Sequence, residues 1–247
     1  MSSAARYTRP PEVPPLVPGQ RLTQREFHRR YEQYPEDTKF ELIEGIVYTV
    51  SPLSRRHGRY QACTGGLFWQ YASATPGVEL LDNATTILDD QSERQPDLEM
   101  RILSEFGGQS RETADDYVRG APEHVTEIAN SSKDIDLNQK RDAYKRARVI
   151  EYLVVCAAEQ ELHWFHFPSG KEIKPDRRGI YRSRVFPGLW LDGPALLRAK
   201  RSDSSQSSKK GLPAPATPGS SRVCMPHIAS IHAPDPSAFI QMKLAEA

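Results

Sequence analysis

His124-Val125-Thr126-Glu127-Ile128-Ala129, the segment 134–148 after it, and Ile150-Glu151-Tyr152-Leu153-Val154-Val155 decide how this chain is read. The first stretch is apolar and of strand length, yet it carries a carboxylate at its centre. Side chains alternate along a strand, so Val125, Glu127 and Ala129 share one face while Thr126 and Ile128 take the other. A carboxylate on a central strand is costly unless something offsets its charge. A hard divalent cation with oxygen ligands is one such partner. A strand-edge Glu that faces water or pairs with an Arg is the plainer alternative. In the segment 134–148, Leu137, Lys140, Tyr144 and Ala147 follow i, i+3, i+7, i+10, the spacing of one helical face. Lys140 then lies on the inward stripe, where it either snorkels to an edge or meets a buried anion. Arg141, Lys145 and Arg148 fan outward.

Upstream, Gln95-Pro96-Asp97 stands at the head of a strand-like run, 98–103. Two carboxylates from neighbouring strands, Asp97 and Glu127, could share one cation. Phe40-Glu41-Leu42-Ile43-Glu44-Gly45-Ile46-Val47-Tyr48-Thr49-Val50 predicts two short strands joined at Glu44-Gly45. Thr23 and Glu26 have capping-box spacing and open a helix with Phe27 and Tyr31 on one stripe. Residues 55–74 read as a helix burying Tyr60, Leu67, Phe68 and Tyr71, with Gly65 and Gly66 as weak points. Further strands are expected at 85–88, 151–157 and 161–167. This order predicts a mixed α+β (α/β) fold, a central mixed β-sheet flanked by α-helices.

The chain has 247 residues, 38% hydrophobic and 26% charged, which is lean for one compact globule. The deficit falls at the ends. Pro10, Pro11, Pro14, Pro15 and Pro18 make residues 1–20 an extended arm rather than a core element. The Ser-, Pro- and Lys-rich residues 199–247 bury too little apolar surface to order and read as a disordered tail. One domain remains, residues 21–198. Thirty-three basic against 32 acidic residues give a net charge of +1 and exclude a general polyelectrolyte role. No apolar stretch is long enough for a membrane span. Cys63, Cys156 and Cys224 lack metal-ligand spacing, and the expectation is a reduced, cytoplasmic protein.

The order of these pieces resembles a known family. Phe40-Glu41-Leu42-Ile43-Glu44-Gly45, Ser51-Pro52 with Arg56-His57-Gly58, Gln95-Pro96-Asp97, Ala121-Pro122-Glu123 leading to Glu127-Ile128, then Lys140, Tyr144 and 150–155 are similar to the Uma-two family. Its members are bacterial proteins assigned as restriction endonucleases of the PD-(D/E)XK nuclease superfamily. The resemblance spans about residues 21–198. It implies a restriction-endonuclease-like fold, a Mg²⁺-dependent phosphodiesterase site (Mn²⁺ as substitute) and DNA as partner. By motif position it implies Asp97 and Glu127 as metal ligands, Lys140 as the lysine displaced onto the next helix, and Glu44 as an additional acidic residue. Glu41 shares that hairpin and could serve instead. Two departures stand out: Ala129-Asn130-Ser131-Ser132 where the family has a Ser-Pro-Ser stretch, and Cys156 in place of a customary Asp.

These residue types suit phosphodiester hydrolysis. A metal on two carboxylates acts as a Lewis acid and lowers the pKa of a bound water. Lys140 could orient that water or steady developing charge. Arg56 and His57, with Arg55 and Arg59, read as a phosphate-binding loop or a solvated charge cluster. Arg141 and Lys145 form a second basic surface for a nucleic-acid backbone. The rival to an endonuclease is a catalytically degenerate nuclease-fold module that binds nucleic acid or regulates. A homodimer is expected by analogy, since duplex cleavage needs two cuts.

Overall fold

The computed structural model describes residues 13–35, 38–50, 52–130 and 133–198. The tail, the arm up to residue 12, and Ser51, Ser131 and Ser132 of the motifs lie outside the described residues.

Helix α1 (Gln24–Tyr31) leads to the hairpin β1 (Phe40–Ile43) and β2 (Ile46–Thr49), then to the long helix α2 (Arg55–Ala74). Strands β3 (Val78–Asp82), β4 (Thr86–Asp89), β5 (Ser92–Arg94) and β6 (Leu98–Ile102) follow. After β7 (Arg111–Glu112) and β8 (Val118–Arg119) come β9 (His124–Ala129), a π-helical turn (Ile135–Lys140) and α3 (Arg141–Arg146). Strands β10 (Glu151–Cys156), β11 (Glu161–His166), β12 (Lys171–Ile173), β13 (Ile180–Arg182) and β14 (Trp190–Asp192) end at α4 (Gly193–Arg198).

The fold is mixed α+β. The inner sheet has the order β12-β11-β10-β9-β6-β3, with β9 and β10 parallel and the remaining pairs antiparallel. A second six-stranded sheet, order β2-β1-β5-β4-β8-β7, joins it where one central sheet was expected. Short strands without a clear period, such as β5, β7 and β8, build the outer sheet, and pairing rather than propensity makes them strands.

Alternation on the inner sheet divides the core. Leu98, Met100, Ile128, Leu153 and Val155 meet Tyr60, Leu67, Phe68 and Tyr71 of α2 on one side. Gly65 permits this approach, since a Cβ there would stand 3.3 Å from Leu98. On the other side Val125, Ala129, Tyr152, Val154 and Cys156 pack with Tyr144, and Leu137 and Ala147 of the expected helical stripe lean on the same cluster. The face carrying Glu127 is therefore roofed by the π turn and α3. Gln139 Nε2 donates to the Tyr48 hydroxyl at 3.0 Å and ties that roof to the β1–β2 hairpin.

The arm does not stay clear of the core. Leu16 is 5% exposed and packs with Phe27, Phe40, Leu42 and Val47. Its backbone N–H donates to the Tyr34 hydroxyl at 2.8 Å, and Gly19 N–H donates to the Val47 carbonyl at 2.8 Å. The prolines at 14, 15 and 18 set an extended path, and one leucine among them finds a pocket. Leu16→Ala is expected to cost about 2–3 kcal/mol in urea denaturation, the lower part of the range for a buried leucine. A change below about 0.5 kcal/mol would return residues 13–20 to the surface.

Candidate active site

Asp97 comes just before β6, whose antiparallel register with β9 sets Leu98 against Thr126. One step back along that register brings Asp97 beside the strand segment of Glu127 and Ile128. Asp97 Oδ2 accepts the Ile128 backbone N–H at 2.7 Å, and Oδ1 accepts from His57 Nε2 at 2.9 Å. Both side chains are nearly buried, Asp97 at 7% and His57 at 6% exposure. A buried carboxylate whose two oxygens both accept hydrogen bonds is fixed in direction.

Glu127, 4% exposed, is held from the roof. Its Oε1 accepts from the Tyr144 hydroxyl at 2.8 Å and from Lys140 Nζ at 3.1 Å. Lys140 Nζ also stands 3.5 Å from Asp136 and 3.7 Å from Glu41. The inward lysine of the helical stripe thus meets buried anions rather than snorkelling. A π turn at this point carries Asp136 and Lys140 inward on the same side, a geometry common near functional sites.

Charge is scarce relative to the carboxylates gathered here. Burial pushes the Glu127 carboxyl up to about 8; Lys140 works against that shift, while Asp97, Asp136 and Glu41 add to it. Burial opposes the charge on Lys140, but Glu127, Glu41 and Asp136 outweigh it and raise its pKa well above the ordinary value. His57 is raised too: burial pulls its pKa down, and the hydrogen bond and charge of Asp97 overcome it. A cleft that raises a carboxyl this far above its ordinary range has room for more positive charge. The donors it offers are hard oxygens on Asp97 and Glu127, the chemistry a hard divalent cation takes, with Glu41 beside Lys140.

Asp97, Glu127, Lys140, Glu41 and His57 line one cleft of about 220 Å³ together with Tyr48, Gln95, Ile128 and Asn130. Asn130, one of the departures from the family's stretch, is thus on its wall, whereas Cys156 is fully buried in the core. Glu44 is not in the cleft. It sits with Gly45 at the tip of the β1–β2 hairpin, both at positive φ (54° and 75°), in the geometry of a tight two-residue turn. There its side chain is 42% exposed and pairs with Arg146. Glu41, three residues earlier, alternates with the core residues Phe40 and Leu42 and so turns into the cleft.

The basic residues divide as well. His57 belongs to the cleft as the partner of Asp97, not to an outer phosphate loop. Arg56 is exposed on the first turn of α2, and Lys145 is exposed on α3. Arg141 stacks over Phe165 at 5.7 Å and donates to Asp142, so its charge is partly matched.

Sequence reasoning missed Arg94. It is fully buried, and its guanidinium lies 4.5 Å from the centre of the Tyr144 ring. None of its three nitrogens has a hydrogen-bond partner among the described residues. A charged residue in the three-residue strand β5, next to the motif residues 95–97, was the available signal. Its meaning depends on a strand that only the second sheet creates.

No curated protein matches the chain. A solved structure of a "putative nuclease belonging to DUF820" from Anabaena variabilis is similar, with 15% identity and a TM-score of 0.55. That match covers 69% of this chain and 96% of the other, and it shows a shared fold. The Uma2 family, described as "Putative restriction endonuclease", matches residues 25–194, and the chain belongs to that family.

Proposed function

We propose that the cleft is the centre of a Mg²⁺-dependent endonuclease that hydrolyses DNA phosphodiester bonds, with Mn²⁺ as a substitute ion. One observation carries this reading: Asp97, Glu127 and Lys140, from three separate segments, line a single cleft with both carboxylates immobilised. Asp97 and Glu127 would hold the ion. When bound, it supplies Lewis acidity and a water of lowered pKa.

The chain's own groups do the rest. Tyr144 aims Glu127, and His57 with the Ile128 N–H aims Asp97, so neither carboxylate must reorganise on binding. Lys140 keeps its proton and offers a fixed positive charge where a phosphate oxygen gains charge. Glu41 steadies Lys140 from the hairpin. Arg56, Arg141 and Lys145 are proposed contacts to the DNA backbone, which position rather than specify. Cutting both strands needs two such clefts, and on that ground a homodimer is proposed.

Nicking of supercoiled plasmid with Mg²⁺, with Mn²⁺ and with chelator tests the reading. Cleavage that requires the ion and vanishes in Asp97→Asn supports it. A folded parent that binds DNA but never nicks it would favour the binding module instead. The two hairpin glutamates give a sharper comparison. Glu41→Gln is expected to slow nicking on the order of 10–100-fold, the usual effect of removing an outer-shell partner. Glu44→Gln, at the exposed turn, is expected to stay within about twofold of the parent, as remote surface changes do.

A further inference from the structure

A second group of ligating side chains lies across the outer sheet from the cleft. Alternation along β5 sends Arg94 toward Tyr144 and its neighbour Glu93 toward α1. Glu93, 1% exposed, has both oxygens committed there: Oε1 to His28 Nδ1 at 2.8 Å and Oε2 to Gln24 Nε2 at 2.8 Å. A carboxylate on Nδ1 fixes the imidazole with that nitrogen as donor, which leaves Nε2 as the ligating atom. Nε2 is sealed from solvent and has no hydrogen-bond partner among the described residues. It points between two carboxylates, Asp115 at 3.6 Å and Glu32 at 3.7 Å.

Those separations exceed hydrogen-bond length, roughly 2.7–3.2 Å. They approach the edge of a tetrahedron built on metal bonds of ~2.0–2.2 Å, which is about 3.3–3.6 Å. The three ligand atoms all lie within 4.8 Å of one another. We propose that His28, Glu32 and Asp115 form a site for a borderline divalent cation, with Zn²⁺ the best match to one imidazole nitrogen and two carboxylate oxygens. Glu93 stands behind His28 as the carboxylate that orients a metal-bound imidazole and raises its basicity.

The site is independent of the nuclease cleft. Bound there, Zn²⁺ pins the end of α1 to the turn between β7 and β8, where the Tyr117 ring already packs edge-on against His28 at 4.7 Å. His28 and Glu32 also line a cavity of about 390 Å³, from which a water could complete four-coordination. The competing occupant is a proton. The hydrogen bond to Glu93 is the main cause that raises the His28 pKa, with Glu32 and Asp115 adding to it. Cation binding must displace that proton.

The test is Zn²⁺ titration of the full chain by calorimetry at pH 7.5, with thermal unfolding in parallel. It is run on the parent and on an Asp97→Asn/Glu127→Gln background that removes the cleft donors, so the outcome does not depend on cleavage. One Zn²⁺ per chain with a raised Tm is expected on the background lacking the cleft donors, and at least one, with the same Tm shift, on the parent. Glu32→Gln and Asp115→Asn change exposed side chains, so folding should persist while affinity falls at least tenfold in each. Glu93→Gln should weaken binding about 10–100-fold without removing a ligand. His28→Ala should abolish both the binding and the Tm shift. No zinc uptake by the parent, or affinity unchanged in Glu32→Gln and Asp115→Asn, overturns the proposal; the second result would assign the ion to other histidines.

Discussion

Asp97→Asn is expected to lower Mg²⁺-dependent plasmid nicking by at least about 10³-fold while leaving the protein folded. The asymmetry follows from what the carboxylate touches. Its hydrogen bonds to the Ile128 N–H and to His57 can be partly kept by an amide oxygen, so β6 and β9 stay in register. The ligand charge cannot be kept. A metal acting as Lewis acid is worth several kcal/mol of transition-state stabilisation, and each ~1.4 kcal/mol is tenfold in rate. Mg²⁺ titration should show weakened binding in parallel, and circular dichroism should match the parent. Cleavage within a few-fold of the parent would remove the metal from Asp97 and end the proposed assignment.

Lys140→Met should separate catalysis from stability through pH. Methionine fills much of the lysine stem's volume but strands Glu127, Glu41 and Asp136 without their shared ammonium. Breaking a buried pair by removing one member typically costs ~3–5 kcal/mol. The sign with pH follows from Glu127. Its folded pKa of about 8 lies above the ordinary 4.5, so between these values the folded state holds more protons than the unfolded one. Stability therefore falls as pH rises through that window and levels off above it. Without Lys140 the upper limit moves higher still, so the variant keeps losing stability beyond pH 8.

Urea denaturation should show the larger deficit at pH 9 and a smaller one at pH 5. Adding Glu127→Gln should recover most of the loss at pH 9. Nicking in Lys140→Met should drop ~10²–10³-fold, the cost of one strong transition-state contact. A variant as stable as the parent at pH 9 would mean that Lys140 is not the counter-charge of the cleft.

Which residues could carry chemistry, and on which face of their own element they lie, is legible from the order of residues alone. Period-two alternation put Glu127 with Val125 and Ala129, and the helical stripe put Lys140 with Leu137 and Tyr144; both faces are as read. These are local properties, set by backbone geometry within a few residues. The family resemblance added the nuclease reading, and the match over residues 25–194 bears it out at family level.

Which glutamate of the hairpin enters the cleft is settled by the way the strands pair. Glu41 and Glu44 are alike as sequence, but the tight turn lifts Glu44 out while the pairing of β1 with β5 turns Glu41 in. Tertiary structure also decided that His57 serves Asp97, because the N-terminus of α2 comes to β6 across 40 residues of chain. The burial of Leu16 and Arg94, and the facing of Glu93 and His28, depend on an outer sheet of strands two to four residues long. Such strands carry too few positions to show a period, and their partners are fixed by long-range pairing.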